Sequence, residues 1–185
     1  MLKEVYQEAE GRMKGAVQAL EEDLAGIRTG RAHPALVEKI SVEYYGMPTP
    51  LIQLAGISVP EPRSLNIRPF DMTTLKAIER AILASDLGLT PNNDGKSIRL
   101  NLPPLTEQRR RDLVKIVHAR VEEARVAVRN VRRDSMRDLR ELKEEKIISE
   151  DDEERGEEEL QTITDHYIDI LNSVGEHKEK EILEV

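Results

Sequence analysis

The residues in this sequence whose type and spacing suggest chemistry are arginines. Along residues 106–147 apolar side chains recur at helical spacing, and Arg111, Arg125, Arg129, Arg132, Arg133 and Arg140 gather to one side of that helix. At about 100° per residue, with Val128 at zero, they fall roughly 40° to 140° round from the apolar stripe, with Lys115 and Lys143 among them. Glu122 is the main acid inside the band, whereas Asp112, Glu123, Asp134, Asp138 and Glu141 project from the far flank. A solvated helix interleaves opposite charges one turn apart, and this one separates them. Guanidinium forks match phosphate oxygens bidentately, so the band predicts a polyanionic partner. Arg129, Arg132 and Arg133 cluster within five residues while the local acids turn away. With one Phe, no Trp and four Tyr, the chain is poorly equipped to stack single-stranded bases. A structured, phosphate-rich RNA, recognised by shape and backbone, fits better.

Net charge conceals this pattern. The whole chain carries −8, but residues 104–148 hold 13 Lys/Arg against 9 Asp/Glu, and residues 149–185 hold 3 against 14. The acidic end opposes indiscriminate adhesion to polyanions and leaves one surface suited to them.

Other chemistries find little support. His33, His118, His166 and His177 have no metal-site spacing, and no phosphate-cradling glycine loop occurs. The acidic run at 150–154 lacks the alternating ligands and glycine of a calcium loop and reads as a solvated helix start. Tyr44 and Tyr45 have no evident base to activate them. No catalytic constellation, metal or cofactor is expected. The absence of cysteine excludes disulfides and thiol chemistry and fits a reducing cytosol. The N-terminal segment has no apolar signal-peptide core, and no apolar run approaches a membrane span, so a cytoplasmic protein is expected.

The elements that must position the arginines follow from periodicity. Residues 2–28 predict a helix with a seam of Leu2, Val5, Ala9, Met13, Ala16, Leu20, Leu24 and Ile27. Residues 29–34, TGRAHP, end it. Prolines and β-favouring runs then dominate up to Pro103, predicting strands at 39–45, 52–54, 56–59, 64–68 and 97–101. A short helix at 74–85 buries Leu75, Ile78, Ile82 and Leu83, and Asn92-Asn93-Asp94-Gly95 is a tight turn. Thr106 caps the long helix, and Ser149 with Asp152 forms a capping box for a third. The seam of that helix is Leu160, Ile163, Tyr167, Ile170, Leu171, Val174 and Ile182. The helical parts are incomplete alone. The economical α+β solution is an elongated antiparallel three-helix bundle from 1–30 and 104–185, with 31–103 inserted as a small β/α/β domain. The two crossings, Thr29-Gly30-Arg31-Ala32 and Leu102-Pro103-Pro104-Leu105, are short enough to serve as a hinge. A fixed pair of domains fits the same residues.

Several runs resemble the ribosome recycling factor family: IRTGRA at 27–32, VEYYG at 42–46, TPLIQLA at 49–55, AILASDLGL at 81–89, LPPLTEQRRRDLVK at 102–115, ARVAVRNVRRD at 124–134 and ISEDDEERG at 148–156. The similarity spans the chain. It implies an L-shaped, hinged monomer of transfer-RNA-like dimensions that binds the large ribosomal subunit after termination. With elongation factor G and GTP, such a factor splits the ribosome and allows release from messenger RNA. On matching motif positions it implies Arg129 and Arg132 at ribosomal RNA, with Arg110, Arg111, Arg28, Arg31 and Arg133 as further contacts. Two other readings of the residues stand beside it: a helical module that docks an acidic protein, and an enzyme with an unrecognised site in the insert.

Overall fold

The computed structural model describes residues 1–184, which separate into two compact units. The larger comprises Met1–Ile27 and Glu107–Glu184, the smaller Arg28–Thr106. The larger unit is made of α1 (Leu2–Ala25), α3 (Glu107–Glu144) and α4 (Glu150–Leu183), each packed on the other two. In the smaller, the hairpin β1 (Ser41–Tyr44) and β2 (Met47–Pro50) accompanies a four-stranded antiparallel sheet and one helix, α2 (Leu75–Ala84). The sheet order is β3 (Ala55–Glu61), β4 (Ser64–Pro69), β6 (Ile98–Asn101), β5 (Pro91–Asn93).

The 38 residues of α3 form a rod of about 57 Å. Its buried residues are Leu113, Val117, Val121, Val128, Val131, Ser135 and Leu139, a three-and-four spacing that keeps one narrow face on its neighbours. Ala124 and Leu142, expected in that stripe, are half-buried. Helix α4 runs antiparallel to α3: His118 meets Glu179, Arg125 meets Asn172, Arg132 meets Gln161 and Lys143 meets Glu153. The reversal is tight, with Lys146 in the left-handed region at φ 57°. Ser149 then starts α4 with a complete capping box, its hydroxyl accepting from the Asp152 amide at 3.1 Å while the Asp152 carboxylate accepts from Ser149.

The α4 seam contains two positions where a side chain has no room. A Cβ on Gly175 would lie 2.7 Å from Val121 Cγ2, and one on Gly156 2.8 Å from Leu139 Cδ1. Glycine at these points lets α4 approach the α3 side chains closely.

In the smaller unit, Leu65 pairs with Leu100 and Ile67 with Ile98, and all four are buried with Val37, Val42, Leu51, Ile78 and Ile82. β6 alternates core and solvent, as does β4 from Leu65 onward, and their inward residues share one core with Leu75, Ile78 and Ile82 of α2. Leu83, expected on that face, is 58% exposed, because it lies about 100° beyond Ile82. Residues 52–54, expected as a strand, instead belong to a single 3-10 turn (Leu51–Gln53) and its C-terminal cap, Leu54. Leu51 and Leu54 are three residues apart, and a turn buries both while exposing Ile52, which alternation does not achieve. Two strands escaped the pattern reading. The β2 sequence MPTP is half proline, tolerated because it pairs on one edge only, and β5 continues through Asn93 so that the turn falls on Gly95-Lys96, closed by the Asp94 amide donating to Ser97 O. Tyr45 and Gly46, at φ 49° and 75°, close the β1–β2 hairpin as the two-residue turn that strand twist favours.

Candidate nucleic-acid interface

The arginine flank is built by α3 and trimmed by α4. The Arg125 guanidinium donates from Nε and Nη2 to Asn172 Oδ1 at 2.9 and 2.6 Å, and Arg132 Nη1 donates to Gln161 Oε1 at 2.6 Å. Gln161 is oriented in turn by its amide bond to Asp165 at 2.8 Å. An amide oxygen holds a guanidinium in place without cancelling its charge, whereas a carboxylate does both. Helix α4 is strongly acidic, yet where it meets Arg125 and Arg132 it presents neutral amides. The result is positive charge that is fixed in direction and still available.

Glu122 is the exception. Its Oε2 accepts from Arg125 at 2.9 Å and its Oε1 from Arg129 at 3.3 Å. The Arg125 guanidinium, hydrogen-bonded to it, holds its carboxyl below the usual range despite some loss of hydration. Arg133 and Arg140 are exposed and form no ion pair among the described residues. Together with Arg132, Arg137 and Met136 they line an open groove of about 390 Å³ on α3. Arg137 leans on Asp134 at 3.5 Å, which is also held across the bundle by Arg12 at 2.8 Å. Lower down, Lys143 Nζ meets the buried Glu153 at 2.5 Å, and that bond raises the lysine's pKa.

The sequence-predicted residues do not form one cluster. Arg129, Arg132 and Arg133 share the α3 flank. Arg111 lies 18 residues before Arg129, about 27 Å along the helix, and is paired with Glu107. Arg110 is half-buried and points toward the packing stripe instead of the flank. Arg28 and Arg31 are exposed and belong to the smaller unit. Sequence reasoning missed Asn172, Gln161, Met136 and Arg137. The first two lie on another helix, and only an antiparallel register between α3 and α4 brings them to the arginines.

The eight residues predicted as a hinge also fall in the smaller unit. Thr29 and Ala32 are buried, the Ala32 amide donates to Pro62 O at 2.7 Å and the Leu102 amide to Arg63 O at 2.8 Å. The two crossings touch: a Cβ on Gly30, whose φ is 78°, would stand 3.2 Å from Leu105 Cγ. No group of His, Asp or Glu among the described residues is arranged to hold a metal, and no described helix is long and apolar enough to cross a membrane.

Fold and site together describe a discontinuous helical bundle with a predominantly basic flank and an inserted β/α/β unit. The profile of the family described as ribosome recycling factor matches residues 20–183. The chain is 56% identical to the ribosome-recycling factor of Roseiflexus castenholzii and 53% identical to that of Syntrophomonas wolfei, over the full length of each pair. A solution structure of a ribosome recycling factor, 49% identical, superposes with a TM-score of 0.70 over 100% of this chain and 98% of that one. A second structure, also 49% identical, covers 99% of both chains with a TM-score of 0.61. It is described as models for the T. thermophilus ribosome recycling factor and the E. coli elongation factor G bound to the E. coli post-termination complex. The chain belongs to the ribosome recycling factor family.

Proposed function

We propose that this protein docks on the large ribosomal subunit of the post-termination ribosome through the arginine flank of α3. With elongation factor G and GTP it then parts the subunits, allowing release from messenger RNA. The full-length similarity to ribosome recycling factors, one of them paired with elongation factor G on a post-termination complex, carries this reading. The flank supports where docking occurs: α4 aims Arg132 through a neutral amide, Arg133 is exposed without a carboxylate partner, and Arg129 beside them meets only Glu122 of α3. Acting on ribosomes, the protein works in the cytoplasm as a monomer, and it makes and breaks no covalent bond.

In this reading the long α3 supplies a rigid anchor and the smaller unit is the moving part. The hinge narrows to the links at 27–28 and 106–107, because Ala32 and Leu102 are bonded into the smaller unit and Gly30 packs on Leu105. Arg110, Arg111, Arg28 and Arg31 lie outside the α3 cluster and serve as separate contacts along the RNA. The test is cosedimentation with large subunits across a salt series. Arg129→Ala with Arg132→Ala is expected to weaken binding and to lower the salt slope by roughly two, one per lost phosphate contact. Unchanged affinity and slope would remove these two residues from the interface.

A further inference from the structure

Glu122 interrupts an otherwise uniform flank, and the geometry around it is specific. It projects into the band between Arg125 and Arg129, and each carboxylate oxygen takes one of those guanidinium groups, at 2.9 and 3.3 Å. Two oxygens bridging two arginines is the arrangement a phosphate would adopt at the same place. The other acids of α3 that lie beyond the band do not reach these arginines: Glu123 pairs with Arg120 and Asp134 with Arg12 and Arg137. Glu122 is not needed to orient Arg125, since Asn172 already takes two of its donors. Arg132, Arg133 and Arg140 have no carboxylate partner, so the flank is divided into a half occupied by an internal anion and a half open to solvent.

We propose that Glu122 is a built-in competitor for the RNA phosphate at Arg125 and Arg129, a residue that sets how tightly, and therefore how reversibly, the flank holds its ligand. The inference rests on the reading of that flank as the RNA-docking surface. A phosphate arriving at Arg129 must displace the Glu122 carboxylate, which then takes up a solvent cation. That uptake offsets part of the counterion release that drives binding. The carboxylate thus lowers affinity and flattens its salt dependence. A factor that must leave the ribosome after each round gains from a contact that is easily exchanged, and the amide-held Arg132 and the free Arg133 keep the register while it exchanges.

Glu122→Gln retains the side chain's shape and removes the charge. Binding of the full-length variant to large ribosomal subunits is expected to tighten about three- to fivefold at low salt, the upper part of the range that exposed ion pairs span. Its salt slope should steepen by about one. Glu123→Gln is the control: it changes net charge equally, one residue away but outside the band, and should shift affinity less than about twofold. Equal tightening by both variants would reduce the effect to overall charge and overturn the proposal, as would unchanged or weaker binding by Glu122→Gln with an unaltered melting temperature. The Arg129→Ala, Arg132→Ala double variant separates this failure from failure of the docking surface. If that variant binds normally the surface itself is misplaced; if it binds weakly while Glu122→Gln does not bind more tightly, only the role of Glu122 falls.

Discussion

At the scale of single residues, the site depends on which atoms face each guanidinium. Asn172 is a neutral prop for Arg125, and Asn172→Asp converts it into a counter-charge of nearly the same shape. This variant should bind large subunits more weakly with a shallower salt slope, while its melting temperature holds or rises because an ion pair replaces an amide contact. A falling melting temperature together with normal binding would contradict the role assigned to the prop. Acid stability is set by other carboxylates. The Arg12 hydrogen bond holds the Asp134 carboxyl below its ordinary value, and the Ser149 hydroxyl does so for Asp152. A carboxylate whose folded pKa is depressed contributes stability above its unfolded value, and this is lost as pH falls through the folded one. Thermal stability should therefore decline below about pH 4, and Asp134→Asn should be less stable at neutral pH with a flatter decline, read from melting curves across pH. The arginine flank itself was legible in the sequence because periodicity alone sorts charges around a helix. The props and the Glu122 bridge were not, because rotamers and inter-helix register decide them.

Among the elements, the closest packing is carried by glycine. Adding a methyl group at Gly175 forces Val121, whose branched side chain has few rotamers in a helix, to move. At Gly156 the obstacle is Leu139, a more adaptable side chain. Overpacking of about 1–3 kcal/mol competes with the gain of about 1 kcal/mol from replacing glycine by alanine inside a helix. Gly175→Ala should be destabilising and Gly156→Ala less so. Gly11→Ala and Gly15→Ala, with nothing within 4 Å of the added atom, should stabilise by about 0.5–1 kcal/mol. Denaturant unfolding of the four variants checks both signs; stabilisation by Gly175→Ala would mean that the helices are not packed as described. The element pattern was readable where period and capping agreed, as in the three long helices and the Ser149 box. It failed where local sequence obeys two rules, as with 52–54, whose apolar residues suit a strand but lie in a turn, and with proline-rich β2. Ser135, Gly156 and Gly175 were missing from the predicted seams because small and polar residues carry no hydrophobic signal, although close helix approach requires small side chains there.

At the scale of the whole molecule, the chain leaves the bundle after α1 and returns at α3, so it passes between the two units twice. Backbone bonds at Ala32 and Leu102 make both crossings part of the smaller unit, and the proposed hinge rests on that. In this account the arginine flank anchors the larger unit, and the smaller unit transmits the work done by the GTPase. Anchoring must therefore precede splitting. The most direct measurement is subunit separation of post-termination ribosomes by light scattering, with elongation factor G and GTP, comparing the natural protein with Arg129→Ala, Arg132→Ala at one physiological salt concentration. The account predicts rapid splitting by the natural protein only when both elongation factor G and GTP are present. It predicts a loss of rate by the variant that higher protein concentration restores, at unchanged helical content. Splitting by the variant at the natural rate and concentration would contradict the claim that this flank is the anchor.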